Sequence, residues 1–238
     1  MKTCRCPTEL VLILSTSRTL SNWPGSVPTQ SDATTQLGGW LFRHRTALPL
    51  PVAIAILTLR IGEAPPSAGL VATGIVVTIL GEVIRLWGVH HIGTISRTRS
   101  DRLGPLVVGG PFARLRNPLY VGNIALWVGF ALTARLVWLA PVIIVLLGLE
   151  YHAIVRWEEG LLESRLGDAY RDYAARVPRW MPTFNREERG GRGDKELSAV
   201  SARSAVKPYS PRETLFSERG TLIAMAAGYA LLWLKLRT

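Results

Sequence analysis

The run "GLVATGIVVTILGEVIRLWGV", Gly69 to Val89, constrains this chain more than any other stretch. At about 1.5 Å per residue it crosses a hydrocarbon core of roughly 30 Å as a single helix. In lipid only helices and closed barrels satisfy every backbone N–H and C=O group. Further apolar runs follow the same pattern: Ala47 to Ile61, Pro118 to Ala134, Leu136 to Val155 and Thr221 to Leu234. With 48% hydrophobic residues and a positive mean hydropathy, the chain reads as an all-α integral membrane bundle of about five transmembrane helices.

Loop lengths and charges orient that bundle. Only Thr133, Ala134 and Arg135 separate the third and fourth runs, so these form an antiparallel hairpin. Arg97, Arg99, Arg102, Arg114 and Arg116 precede the hairpin, and Arg156, Arg165, Arg171, Arg176 and Arg179 follow it. The positive-inside bias puts both groups, and the amino terminus, in the cytoplasm. Lys235 and Arg237 then fall on the wrong side if the last run spans. The net charge of +11 suits loops facing anionic lipid, and no nucleic-acid reading module accompanies it. Cys4 and Cys6 build neither a disulfide framework nor a four-ligand zinc site, so no metal is expected. The chain divides into a disordered tail (1–38), a membrane core (39–184), a polar linker (185–218) and a C-terminal hydrophobic helix (219–238).

The chemistry gathers at the threshold of the third run, in "GGPFARLRNPLYVG", residues 109–122. Asn117 before Pro118 is a helix-start signal, since Asn accepts from orphan N–H groups and Pro fits the first helical position. A helix amino terminus flanked by Arg114 and Arg116 favours an anion. The hairpin returns the chain to the same level at "RWEE", Arg156 to Glu159, where Glu158 and Glu159 stand at the negative end of a helix and favour a cation. Side by side, the two halves match a zwitterion. The amino acid part of S-adenosylmethionine fits, as do a phospholipid headgroup and a peptide terminus. Glu82 and Arg85, three residues apart on one face, are close enough to pair.

The threshold motif, followed by "EEGLLESRLGDAYRDYAARVPRWMP", resembles the isoprenylcysteine carboxyl methyltransferase family, which is grouped with the phospholipid N-methyltransferases. The resemblance covers roughly residues 80 to 184. It implies S-adenosylmethionine as cofactor in a cytoplasmic-face pocket. Gly110, Pro111, Arg116, Pro118, Tyr120 and Gly122 fall on the first motif, with Asn117 where the family has His, and the resemblance implies that these residues help bind the cofactor. Glu158 and Glu159 fall on the acid pair that holds the methyl donor. Arg156 takes the place of the residue implicated with the acceptor carboxylate and is the catalytic candidate. Tyr170 and Tyr173, on the closing segment, are candidates for binding the acceptor. Phe112 and Leu166 replace the family's Tyr and Phe.

The implied function is methylation of a lipophilic or prenylated acceptor drawn from the bilayer, by carboxyl O-methylation of the isoprenylcysteine type. Phospholipid or other amine N-methylation is the rival enzymatic reading, and a non-catalytic membrane scaffold is the rival of another class. Asn117 cannot titrate near neutrality, as His would. A carboxylate acceptor is already ionised and needs alignment more than a base, whereas an ammonium must first lose a proton.

Overall fold

The computed structural model describes residues 33–45, 47–93, 106–182 and 208–237. Cys4, Cys6, most of the expected tail, Arg97, Arg99, Arg102 and residues 183–207, which hold most of the expected linker, lie outside the described residues. Within the described residues all regular structure is helical. The helices are α1 (Ala33–His44), α2 (Leu50–Thr58), α3 (Ala68–Ile92), α4 (Pro118–Thr133), α5 (Leu139–Leu166), α6 (Asp168–Arg176) and α7 (Pro211–Arg237), with a 3₁₀ turn at Gly110–Ala113.

Among these, α3 and α5 are long and apolar enough to cross a membrane, and α4 is a shorter apolar helix. The first apolar run contributes only α2, whose nine residues reach about 14 Å and fall short of a bilayer core. Val76, Ile79, Leu80 and Val83 of α3 and Ile144, Val145, Leu146 and Leu149 of α5 are exposed, an apolar belt suited to lipid. Inward, Ile143, Leu147 and Ile154 of α5 are fully buried and form a core with Leu136 and Leu232.

The tightest contact joins α3 to α4. Gly74, Gly81 and Gly88 recur every seven residues on α3, and Gly122 and Gly129 do so on α4. A Cβ on Gly81 would lie 2.7 Å from the Gly122 carbonyl oxygen and 2.8 Å from the Leu126 nitrogen. One on Gly129 would land on Thr78 and the Gly74 carbonyl. Small residues at such spacing let helix backbones touch in lipid, where no hydrophobic force separates helix from tail. Thr78 and Thr133 close the seam by donating to Gly74 O (3.0 Å) and Gly129 O (2.9 Å) on their own helices.

Two elements differ from the sequence expectation. Helix α1 starts at Ala33, inside the stretch read as a tail, because Gly38 and Gly39 let it lie directly on Ala153 and Trp157 of α5. Helix α7 starts at Pro211, so the last part of the expected linker is helical. A capping box sets that start: Ser210 N donates to Glu213 Oε2 (2.7 Å) and Glu213 N donates to Ser210 Oγ (3.3 Å), with Pro in the first helical position.

Helix α7 runs the height of the bundle. Near its start Tyr209 N donates to His90 O at the end of α3 (2.9 Å), midway Tyr229 Oη donates to Thr78 Oγ1 (2.7 Å), and near its end Lys235 meets α2. Lys235 is buried, and its Nζ donates to Ile56 O (2.9 Å) and Leu59 O (2.5 Å) and pairs with Glu63 at 3.3 Å. Glu63 is also held by Arg135 at 2.5 Å, in the α4–α5 turn where Arg135 adopts φ +62°. The misplaced charge of Lys235 is therefore partnered inside the protein, by two carbonyls and by a carboxylate that it shares with Arg135.

Replacing Gly129 by Leu is expected to cost about 1–3 kcal/mol through overpacking, read as a lowered thermal midpoint in detergent. Gly148, which has nothing within 4 Å of its Cβ position, serves as the control, and Gly148→Ala is expected to be neutral or slightly stabilising.

Candidate functional site

The threshold motif folds as a 3₁₀ turn followed at once by α4. Gly110 has φ +59°, and a Cβ there would enter the His91 ring of α3, so only glycine seats the turn against that helix. Pro118 occupies the first position of α4, as expected, but the Asn117 side chain makes no cap bond. It turns instead to the segment after α6, where its Nδ2 donates to Arg179 O (3.3 Å). One residue earlier, Arg116 N donates to Pro178 O (2.9 Å). Two motifs some sixty residues apart are thus joined backbone to backbone.

Helix α5 carries Glu158 and Glu159 to this level, and a turn at Gly167 (φ +54°) sends α6 back toward it. Glu159 accepts from Arg116 Nη1 (2.9 Å) and from the fork of Arg179, Nε at 3.0 Å and Nη2 at 2.5 Å. Glu158 accepts from Tyr120 Oη (3.0 Å), and the Tyr120 ring stacks on Tyr151 with centroids 4.7 Å apart. Arg116 Nε is buried without a hydrogen-bond partner, leaving one donor available. The anion-favouring and cation-favouring halves stand side by side, as expected, and are bonded to each other.

Tyr170 and Tyr173 project from α6 and are buried. Burial, reinforced by the Glu159 charge, pushes the Tyr170 hydroxyl up to about 12, and burial also pushes Tyr173 up. Both stay neutral at pH 7 and act as hydrogen-bonding groups, with Tyr173 Oη donating to Phe112 O (2.9 Å). The bonds to Glu159 hold the Arg179 guanidinium still more firmly in its charged form.

A cavity of about 1040 Å³ opens beside this network. Arg116, Asn117, Glu158, Glu159, Tyr170 and Tyr173 line its polar end, and Leu126, Trp127, Phe130 and Met225 belong to its apolar walls. Pro118 and Tyr120 also line it. Gly110, Pro111 and Gly122 do not: Gly110 packs on His91 and Gly122 on Arg85 and Gly81, and Pro111 is buried in the turn. Arg156 is exposed on α5 and is not among the lining residues. Arg179 escaped the sequence reading because nothing distinguishes it from nine other loop arginines. Glu82 and Arg85 pair at 3.2 Å as expected, but Asn123 and Glu218, which join them, carried no sequence signal. Among the described residues no group of three or more His, Cys, Asp or Glu side chains is placed to hold a metal ion.

Fold and site together define a helical protein with two helices long and apolar enough to cross a membrane and a charged pocket that opens into an apolar cavity. Residues 70–169 match the phospholipid methyltransferase family. The chain is 31% identical over 159 residues to the nickel-cobalt-cadmium resistance protein NccN of Alcaligenes xylosoxydans xylosoxydans, covering 64% of this chain and 71% of that protein. It is 27% identical over 155 residues to the cobalt-zinc-cadmium resistance protein CzcN of Cupriavidus metallidurans, covering 63% and 68%. No solved structure matches significantly. The chain belongs to the phospholipid methyltransferase family, a membrane-bound family that includes isoprenylcysteine methyltransferase-like members.

The raised Tyr170 value has a consequence for stability. A tyrosine held neutral in the folded state above its ordinary value of 10.0 contributes stability that is complete below about pH 10 and lost as the pH rises toward about 12. Thermal midpoints taken from pH 8 to 11 are expected to fall at the alkaline end, and Tyr170→Phe is expected to flatten that fall.

Proposed function

We propose that the protein transfers a methyl group from S-adenosylmethionine to a lipid-like acceptor held in the same cavity. The observation that carries this reading is the bonded set Arg116, Glu159, Arg179 with Glu158 and Tyr120, placed where a polar pocket gives way to apolar walls. The residues fit the donor's amino acid part. Glu158 and Glu159 would receive its ammonium, and Arg116, with its unpartnered Nε, would receive its carboxylate. When bound, the donor supplies an electrophilic methyl on a positively charged sulfur.

What the chain itself does is hold and exclude. Asn117 and the Arg116 backbone pin the closing segment over the pocket, Arg179 fixes the Glu159 carboxylate, and the buried α6 tyrosines wall off water. Alignment in such a pocket accounts for a large share of the rate in methyl transfer, because the reactants lose the freedom they have in solution. The walls are apolar enough for the hydrocarbon part of a lipid. We place the charged end toward the cytoplasm in a multi-pass arrangement, since Arg114, Arg116, Arg156, Arg165 and Arg179 surround it. Carboxyl O-methylation of the isoprenylcysteine type would draw its acceptor-binding arginine from Arg156, and the exposed position of that side chain gives the cavity no support for it.

Calorimetric titration of the purified chain with S-adenosylmethionine tests the donor site. Glu158→Gln and Glu159→Gln are each expected to weaken binding by about tenfold or more, the value of a charge-assisted hydrogen bond. Unchanged affinity in both, with the wild-type melting profile, would sink the assignment. Labelled donor incubated with membranes and the chain should place label in the lipid extract.

A further inference from the structure

The apolar part of the cavity is bounded by charge at both ends, and the stretch between has a depth that the helices fix. At the polar end Arg85 of α3 donates to Asn123 of α4 and to Thr221 of α7 (3.2 Å), and all three line the cavity. Seven residues further along each helix, Phe130 of α4 lies over Gly228 of α7 and against Tyr229, with ring centroids 4.7 Å apart. The two helices therefore run in step along the cavity. At the far end Ile56 and Leu57 of α2 and Leu231 and Leu232 of α7 line it, with Ile56 and Leu232 fully buried.

Directly behind those residues α2 ends. Its Ile56 and Leu59 carbonyls accept from Lys235 Nζ (2.9 and 2.5 Å), and Lys235 pairs with Glu63, which Arg135 also holds. A hydrocarbon end pushed past Ile56 would part this cluster and leave buried charge unpaired, which costs more than burying another methylene gains. The cluster is a floor. From Thr221 to Leu231, ten residues, α7 advances about 15 Å, about half of a roughly 30 Å hydrocarbon core. An extended chain advances about 1.2 Å per bond, one third of the span of a residue, so the stretch holds about twelve to fourteen carbons.

We propose that the cavity selects its ligand by length, taking a lipid-like molecule with a tail of about twelve to fourteen carbons, and that Ile56, Leu57 and Leu232, backed by the Lys235 cluster, set the limit. Down to the floor each added methylene leaves water for an apolar wall. Beyond it, further carbons must fold back into a packed space or stay outside. Both α2 and α7 lie outside the residues that match the family, so the limit comes from this chain's own flanking helices. The proposal rests on the reading of the cavity as the acceptor site, and it fixes the length of the acceptor's hydrocarbon part whatever headgroup that part carries.

The test is calorimetric titration of the full chain, held in amphipol, with neutral monoacylglycerols from octanoyl to octadecanoyl. Affinity is expected to rise about fourfold per methylene up to the dodecanoyl or tetradecanoyl compound and to level or fall beyond it. Ala227 lines the cavity four residues short of Leu231, about 6 Å. Ala227→Phe is expected to move the best binder down to the octanoyl or decanoyl compound. Leu57→Ala, which lowers the floor and leaves Lys235 in place, is expected to move it one compound longer and gives a second measurement if Ala227→Phe does not fold. Affinity that keeps climbing through octadecanoyl in wild type, or a best binder unmoved in a folded variant, overturns the length limit and leaves the acceptor reading standing. No binding at any length overturns both. A length limit kept by a chain that never binds S-adenosylmethionine overturns the donor site alone.

Discussion

The distance at which α3 and α4 meet governs the rest of the molecule. In lipid, helices associate through van der Waals contact and hydrogen bonds, and here the contact is backbone on backbone at Gly74, Gly81, Gly122 and Gly129. Because Gly122 has no side chain, the stem of Arg85 lies over it, and from that position the guanidinium reaches Asn123 and, across the cavity, Glu218. Because Gly88 has none, α3 settles onto Leu119, and its last turn brings His91 over the Gly110 turn. The motif glycines that the family resemblance assigns to the cofactor thus shape the site from outside it. A methyl group at either position would displace a helix before it touched a ligand.

The parts of the site that could be read from the sequence follow local rules. Pro118 opens α4 because its fixed φ suits a first helical residue. Glu159 meets Arg116, and Glu158 meets Tyr120, because helix rise and a short turn bring the returning helix to that level. Arg179, Asn123 and Glu218 obey no local rule. Arg179 reaches Glu159 only after α5 has ended, the chain has reversed at Gly167 and α6 has folded back, and nothing in "VPRW" records that path. Glu218 was assigned to a linker because its neighbours are polar, yet "SPRE" just upstream is a reciprocal capping box, a local signal that marks where α7 begins. Arg156 shows the converse: its place in the motif was legible, but the face of α5 on which it emerges was not.

Helix α7 also bears on the charge conflict that the sequence raises at the far end of the bundle. The positive-inside bias treats Lys235 as a loop charge that must choose a side of the membrane. In the folded chain its ammonium caps the last carbonyls of α2, a favourable place for a cation, and shares Glu63 with Arg135. A charge satisfied by neighbours exerts little pull toward either aqueous phase. The same helix is tied at its other end by Glu218 to Arg85, so its polar residues act as anchors at both ends and its small residues Gly220, Ala224 and Gly228 leave room for the cavity between.

The replacement of the family's His by Asn117 now has a physical meaning. Its amide donates to the Arg179 carbonyl, a bond that a histidine would make only with an N–H on the correct ring nitrogen, and that protonation would alter. The amide holds the closing segment in place at any pH, so this position serves geometry and supplies no proton chemistry. The α6 tyrosines cannot substitute, since burial keeps both neutral. Among the described residues the carboxylates that line the cavity are Glu158, Glu159 and Glu218; Glu158 is bonded to Tyr120, and Glu159 to Arg116 and Arg179. Glu218 is paired with Arg85, as is Glu82 behind it, so two carboxylates there share one arginine.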